Sequence, residues 1–136
     1  MNISFFLLPK SQVEYVHIEE TVGQALKRLH DRGYQTVPMI DKAGRYAGTV
    51  CEGDFLWNLI NVYQTDMETM KKVSVDSLKK KRTYKAVRID EEIAALSKHI
   101  LDQNFVPVVD DRNVFIGIIT RREIMKALLD RKKGES

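Results

Sequence analysis

Val37-Pro38-Met39-Ile40-Asp41 recurs 69 residues later as Val106-Pro107-Val108-Val109-Asp110. Working outward, Tyr46-Ala47-Gly48-Thr49-Val50 recurs at the same offset as Phe115-Ile116-Gly117-Ile118-Ile119. The match runs without a gap from Val37 to Leu59. A period this long, present twice, marks a duplicated supersecondary unit rather than a solenoid, whose repeats run roughly 20–50 residues.

Each copy reads the same way. Thr21-Val-Gly-Gln24 has the form of a capping box, a hydroxyl followed three residues on by an amide. It opens an amphipathic helix with Val22, Ala25, Leu26 and Leu29 on one face, stopped near Gly33. The matching helix is expected from Asp90 through Ile93, Leu96, Ile100 and Leu101. Strands follow over Thr36 to Ile40 and Phe105 to Val109, then turns at Asp41-Lys-Ala-Gly44 and Asp110-Asp-Arg-Asn113. Second strands over Tyr46 to Val50 and Val114 to Ile119 lead into closing helices of about a dozen residues. Short strands near Tyr15–Ile18 and Ala86–Ile89 complete a β-α-β-β-α unit. The boundaries read from this pattern are a first motif over 1–64, a linker over 65–84 and a second motif over 85–132. Val73, Val75 and Leu78 predict one or two helical turns in the linker.

At 136 residues the chain is too short for a TIM barrel, a full dinucleotide-binding oxidoreductase or a kinase. Its 43% hydrophobic content excludes overall disorder. Cys51 is the one cysteine, so no intrachain disulfide supports the fold. The apolar start, Met1 to Leu8, is ended by Pro9 and Lys10 well short of a membrane span and carries no basic residues ahead of it. A cytoplasmic protein without a membrane partner is expected. The net charge of +3 conceals an uneven distribution: Lys71 to Arg88 holds eight basic residues and one acid, so that stretch is +7 and the rest of the chain −4.

No catalytic constellation emerges. His17, His30 and His99 have no metal-ligand spacing, and no histidine is placed beside Cys51 to activate it. Gly44-x-x-x-Gly48 lacks the Lys and Ser/Thr of a phosphate loop, and no G-x-G-x-x-G occurs. A non-enzyme with neither metal nor cofactor is expected.

The helix-to-strand step Gly33…Val37-Pro38-Met39-Ile40-Asp41 and the strand-to-helix step Gly48-Thr-Val-Cys51-Glu-Gly-Asp54 have partners in Asn104-Phe-Val-Pro-Val-Val-Asp110 and Gly117-Ile-Ile-Thr120-Arg-Arg-Glu123. On these residues the chain resembles a tandem pair of cystathionine-β-synthase-type (CBS) domains, a Bateman module. The resemblance implies an α+β fold of two pseudo-symmetric β-α-β-β-α motifs packed through their sheets. It also implies adenine nucleotides as regulatory ligands in the clefts between the motifs, pairing into a homodimer, and control of a separate partner protein. The Thr120-Arg-Arg arrangement is further similar to stand-alone bacterial CBS pairs that bind cyclic di-AMP, so AMP, ADP, ATP and cyclic di-AMP are the candidate ligands.

The family's ligand motif places a hydroxyl and a carboxylate on the first turn of each closing helix. There, unpaired backbone N–H groups and the helix dipole suit phosphate, and the carboxylate suits ribose hydroxyls. Copy one keeps Asp54 but has Cys51 at the hydroxyl position; copy two keeps Thr120 but has Glu123 at the carboxylate position. Both Thr120/Glu123 and Asp54 can equally serve as helix caps. Arg121 and Arg122 could grip phosphate bidentately, with one of them facing solvent. The resemblance assigns the adenine lining to Val13–Val16, with Val16 among them, to Thr83, Lys85 and Ala86 within Thr83–Val87, and to Val37-Pro38 and Val106-Pro107. Ordinary sheet core is the competing reading for each. The closing helix Phe55–Tyr63 is apolar over more than the ~100° stripe a core-facing helix needs, which points to a homodimer face. An alternative function uses the basic linker for protein or nucleic-acid interaction without nucleotide sensing. Nucleic acid is the weaker of these, because Tyr84 is the single aromatic in the cluster.

Overall fold

A computed structural model describes residues 2–61, 66–78 and 84–135. In chain order the elements are β1 (Leu8–Pro9), β2 (Val16–His17), α1 (Val22–Arg32), β3 (Thr36–Ile40), β4 (Tyr46–Cys51) and α2 (Glu52–Asn61). They continue with α3 (Met67–Lys72), β5 (Val87–Arg88), α4 (Ala94–Ser97), β6 (Phe105–Val109), β7 (Phe115–Thr120) and α5 (Arg121–Glu135). Single 3-10 turns, Ile3–Phe6, Lys10–Gln12 and Val75–Ser77, join some of them. The chain divides into two units, Glu14–Ala43 with Ala47–Thr83, and Met1–Val13 with Gly44–Tyr46 and Tyr84–Ser136.

The unit carrying the first repeat is built on the sheet β2-β3-β4, with β2 parallel to β3 through Val16↔Met39 and His17↔Ile40. The capping box forms as its residues predict: Gln24 N–H donates to Thr21 Oγ1 at 3.2 Å, and Thr21 N–H donates to Gln24 Oε1 at 3.0 Å. Two of the orphan donors of α1 are thereby satisfied. Gly33 ends the helix in the left-handed conformation at φ +71°. Val22, Ala25 and Leu29 of α1 pack with Val16, Val37, Met39, Val50 and Phe55, and Val75 and Leu78 from beyond α3 complete this core.

The unit carrying the second repeat has the sheet order β1-β7-β6-β5. β6 and β7 are antiparallel from Phe105↔Thr120 to Val109↔Phe115, with an irregularity between Val108 and Val109. β5 runs parallel to β6 through Val87↔Val108 and forms one edge of the sheet. The other edge is β1, from the start of the chain, antiparallel to β7 through Leu8↔Ile118 and Pro9↔Gly117. Gly117 is required here, because a Cβ would overlap the Leu8 carbonyl oxygen. Ile3 and Phe6 of the same leading segment fill a core with Val87, Leu96, Val106, Val108 and Ile119.

The helix expected from Asp90 through Leu101 is largely absent. One α-helical turn, Ala94–Ser97, stands in its place, flanked by turns with three-residue hydrogen bonds such as Leu96 N–H to Ile93 O and Asp102 N–H to His99 O. The cause is local. Ile93, at the cap position, makes no side-chain cap hydrogen bond, whereas α1 has both arms of its box.

Candidate functional site

The strand-to-helix steps of the two repeats both satisfy their helix N-termini through the capping positions. At the start of α2, the N–H of Cys51 donates to Asp54 Oδ2 at 2.9 Å, and Asp54 is 4% exposed. At the start of α5, the N–H of Glu123 donates to Thr120 Oγ1 at 3.1 Å. A full capping box uses both bonds. Repeat one uses the carboxylate arm, and its thiol also accepts from the Asp54 backbone N–H. Repeat two uses the hydroxyl arm, and its Glu123 carboxylate makes no hydrogen bond among the described residues.

The Cys51 thiol is pushed above its ordinary value, mainly by burial, with the neighbouring Asp54 carboxylate adding to the rise and the Asp54 backbone N–H opposing it. It is a neutral thiol at physiological pH rather than a thiolate nucleophile. Behind it, the fully buried Asn58 donates from Nδ2 to the Asp54 carbonyl at 2.7 Å.

At α5 the two arginines part company. Arg121 Nε donates to the Ile100 carbonyl and Nη2 to the Leu101 carbonyl, both at 2.7 Å. The guanidinium fork thus ties the helix start to the turn after α4, gripping backbone as it would a carboxylate. Arg122 is exposed beside it.

Of the other expected site residues, Val16, Val37 and Pro38 lie buried in β2 and β3, in the same unit as Cys51 and Asp54. Val106 and Pro107 lie buried in β6, and the exposed Lys85 and half-buried Ala86 precede β5, in the same unit as Thr120 to Glu123. The side chains of Val16, Val37 and Val106 belong to the hydrophobic cores, so what these positions can offer a ligand is backbone. Thr83 and the basic run Lys79–Arg82 lie outside the described residues. Among the described residues, no group of three or more His, Cys, Asp or Glu could hold a metal ion, and no helix is long and apolar enough to cross a membrane.

The CBS domain family model matches residues 7–61 and 81–130. This chain belongs to the CBS domain family. The match is double, as the repeat requires. Cyclic di-AMP receptor B of Bacillus subtilis strain 168 is 24% identical to this CBS pair over 127 residues, 93% of this chain and 86% of that receptor. Among solved structures, CbpB in complex with c-di-AMP matches at TM-score 0.87 and 25% identity, covering 100% of this chain and 91% of that one. A CBS domain protein from Streptococcus pneumoniae TIGR4 matches at TM-score 0.82 and 26% identity, covering 93% of this chain and 86% of that one.

Three residues of the CBS pair that no sequence motif singles out shape the strands beside these steps. Arg28 of α1 donates from Nη1 to the Tyr15 carbonyl at 3.0 Å and forms ion pairs with Glu14 at 3.4 Å and Glu20 at 3.0 Å. Tyr84 accepts from the Asn104 N–H at its hydroxyl, accepts from the Tyr46 hydroxyl at its carbonyl, and meets Phe105 edge-on. Gln103, buried in the turn before β6, hydrogen-bonds the backbone of Lys85. The offset of 69 pairs Gln103 with Tyr34 and Arg28 with Ser97, so comparing the repeats draws no attention to either.

Proposed function

We propose that this CBS pair is a non-catalytic regulatory receptor for an adenine nucleotide, with cyclic di-AMP as its ligand. The observation that carries the reading is the pair of strand-to-helix steps ending on α2 and α5. Each presents a helix N-terminus and a carboxylate, Asp54 or Glu123, and the second adds Thr120 and the exposed Arg122. Backbone N–H groups and a cation suit phosphate, while a carboxylate suits ribose hydroxyls. Support comes from the relative named as a cyclic di-AMP receptor and from the match to CbpB in complex with c-di-AMP. The adenine faces backbone ahead of a first strand, Glu14–Val16 beside Val37-Pro38 in one unit or Tyr84–Val87 beside Val106-Pro107 in the other. Arg122 holds phosphate, while Arg121 braces the helix start.

Signalling proceeds by population shift in the cytoplasm: nucleotide binding favours one conformation and thereby changes the affinity of an outer surface for a regulated protein. The receptor works as a homodimer, a reading supported by the apolar residues left exposed on the closing helices, Leu56 and Ile60 on α2 and Met125, Leu128 and Leu129 on α5. Calorimetric titration of the full chain with cyclic di-AMP, AMP, ADP and ATP tests the ligand. Saturable heat with cyclic di-AMP is expected. No binding of any of the four at millimolar concentration overturns the receptor reading.

A further inference from the structure

Gln103 is 7% exposed and spends its whole amide on backbone. Its Oε1 accepts from the Lys85 N–H at 2.8 Å, and its Nε2 donates to the Lys85 carbonyl and to the Phe105 carbonyl, each at 3.1 Å. A carboxamide has one acceptor oxygen and two donors, and all are engaged. Regular pairing of β5 with β6 begins at Val87↔Val108, so Lys85 precedes the ladder. Gln103 supplies the partner that the missing ladder does not, standing in for a piece of strand between Lys85 and Phe105.

This clamp has a directional consequence. The Lys85–Ala86 peptide bond is trans, so the N–H of Ala86 points opposite to the carbonyl of Lys85 with which it shares a plane. Backbone groups of successive strand residues also alternate sides. With both polar groups of Lys85 turned toward Gln103, those of Ala86 turn away, off the edge of the sheet that β5 forms. The neighbouring ladder agrees: Ile89 N–H donates to Val109 O on the β6 side, while Arg88 N–H donates outward to Glu91 Oε2 at 2.7 Å.

We infer that Gln103 is a positioning residue for base selection: by gripping Lys85 it aims the N–H and carbonyl of Ala86 at the ring edge of the bound base. The inference rests on the receptor reading, in which residues 84–87 face the adenine. Adenine presents an acceptor nitrogen, N1, beside an amino donor, which complements an N–H and a carbonyl on one residue. Guanine presents a ring N–H beside a carbonyl oxygen, the reverse pattern, and leaves polar groups mispaired. The first repeat is built differently. By strand register Val16 corresponds to Val87 and Tyr15 to Ala86, and the Tyr15 carbonyl already accepts from Arg28. Selection of the base by backbone therefore belongs to the second repeat.

The test is calorimetric titration of wild type, Gln103→Leu and Gln103→Glu, each against cyclic di-AMP and cyclic di-GMP. Leu removes all three bonds, and Glu keeps an acceptor for Lys85 but loses both donors. Wild type is expected to prefer cyclic di-AMP, and both variants to lose about tenfold or more of that preference, the effect of a lost buried hydrogen bond. Val75→Ala, a destabilising change in the core of the other unit, should leave the ratio unaltered and so separates positioning from general loss of stability. Hydrogen exchange supplies a readout without ligand: the Lys85 amide is protected in wild type and loses protection in Gln103→Leu. If wild type binds neither dinucleotide, the receptor reading falls and this inference with it. If wild type binds and the variants keep both its preference and the Lys85 protection, the positioning role alone is refuted.

Discussion

Gly48 and Gly117 occupy the same place in the two repeats, yet alanine should cost far more at the second. At Gly117 a Cβ would overlap the Leu8 carbonyl oxygen and lie 2.8 Å from Leu7 Cδ1. The obstacle is backbone, so relief requires β1 to move off β7. That movement draws on Ile3 and Phe6, which are 0% and 2% exposed in the core behind it. Complete release of one such side chain costs roughly 1.5–3 kcal/mol, and incomplete release leaves an overpacking strain of about 1–3 kcal/mol. With both Ile3 and Phe6 drawn out of the core, Gly117→Ala should therefore destabilise by about 3–6 kcal/mol. At Gly48 the nearest atom is the flexible Met39 Cε at 3.3 Å, which can give way, and the main cost is the backbone at φ +128°. About 1–2 kcal/mol is expected there. Urea unfolding followed by far-UV circular dichroism measures both. A second readout is tryptic cleavage after Lys10, which should accelerate in Gly117→Ala and stay unchanged in Gly48→Ala. Equal losses in the two variants, or a large loss at Gly117 with Lys10 still protected, would refute the argument from β1.

Two further outcomes follow from the site and the closing helices. Because burial raises the Cys51 thiol above its ordinary value of 9.0, Ellman's reagent should react with it at pH 8 several-fold more slowly in the folded than in the urea-unfolded chain. The stability linked to this raised value is present below the ordinary thiol range and is lost as pH rises through the folded value, so Cys51→Ser should flatten the alkaline decline in stability. Equal reaction rates in the two states would contradict the burial. On α2, Leu56→Lys with Ile60→Lys places two charges on side chains 58% and 61% exposed; light scattering should report a monomer with unchanged circular dichroism, and an unchanged mass would sink the dimer face.

Much of the fold is readable from one line of residues because apolar β-branched runs bounded by turn formers leave few alternatives. Thr36–Ile40 and Phe105–Val109 are strands over the residues expected, and the second strands each run one residue past the expected end, to Cys51 and Thr120, the latter starting at Phe115 rather than Val114. The second repeat's first helix is misjudged because apolar periodicity measures which face a helix would bury, not whether its first turn is capped. Ile93 has no cap, and the periodic residues Ile100 and Leu101 lie in turns instead. The site divides in the same manner. Thr120 and Asp54 stand out by their spacing from a glycine, but which arm of each capping box is used depends on side-chain rotamers. Gln103 and Arg28 act on backbone groups 18 and 13 residues away, a relation that no local pattern encodes.

The leading segments of the two repeats are crossed over. Ile3 and Phe6 complete the core of the second repeat, and Val75 and Leu78, which precede that repeat in the chain, complete the core of the first. Severing the chain between Asp66 and Ser74 would not release two autonomous halves, since each fragment would carry a plug belonging to the other. During synthesis the first repeat must wait for residues near 78 to emerge before its interior closes, and Ile3 and Phe6 must wait for residues as far along as Ile119. The duplicated units are in this way interdependent through the chain, since each core needs a segment that sequence order places with the other copy.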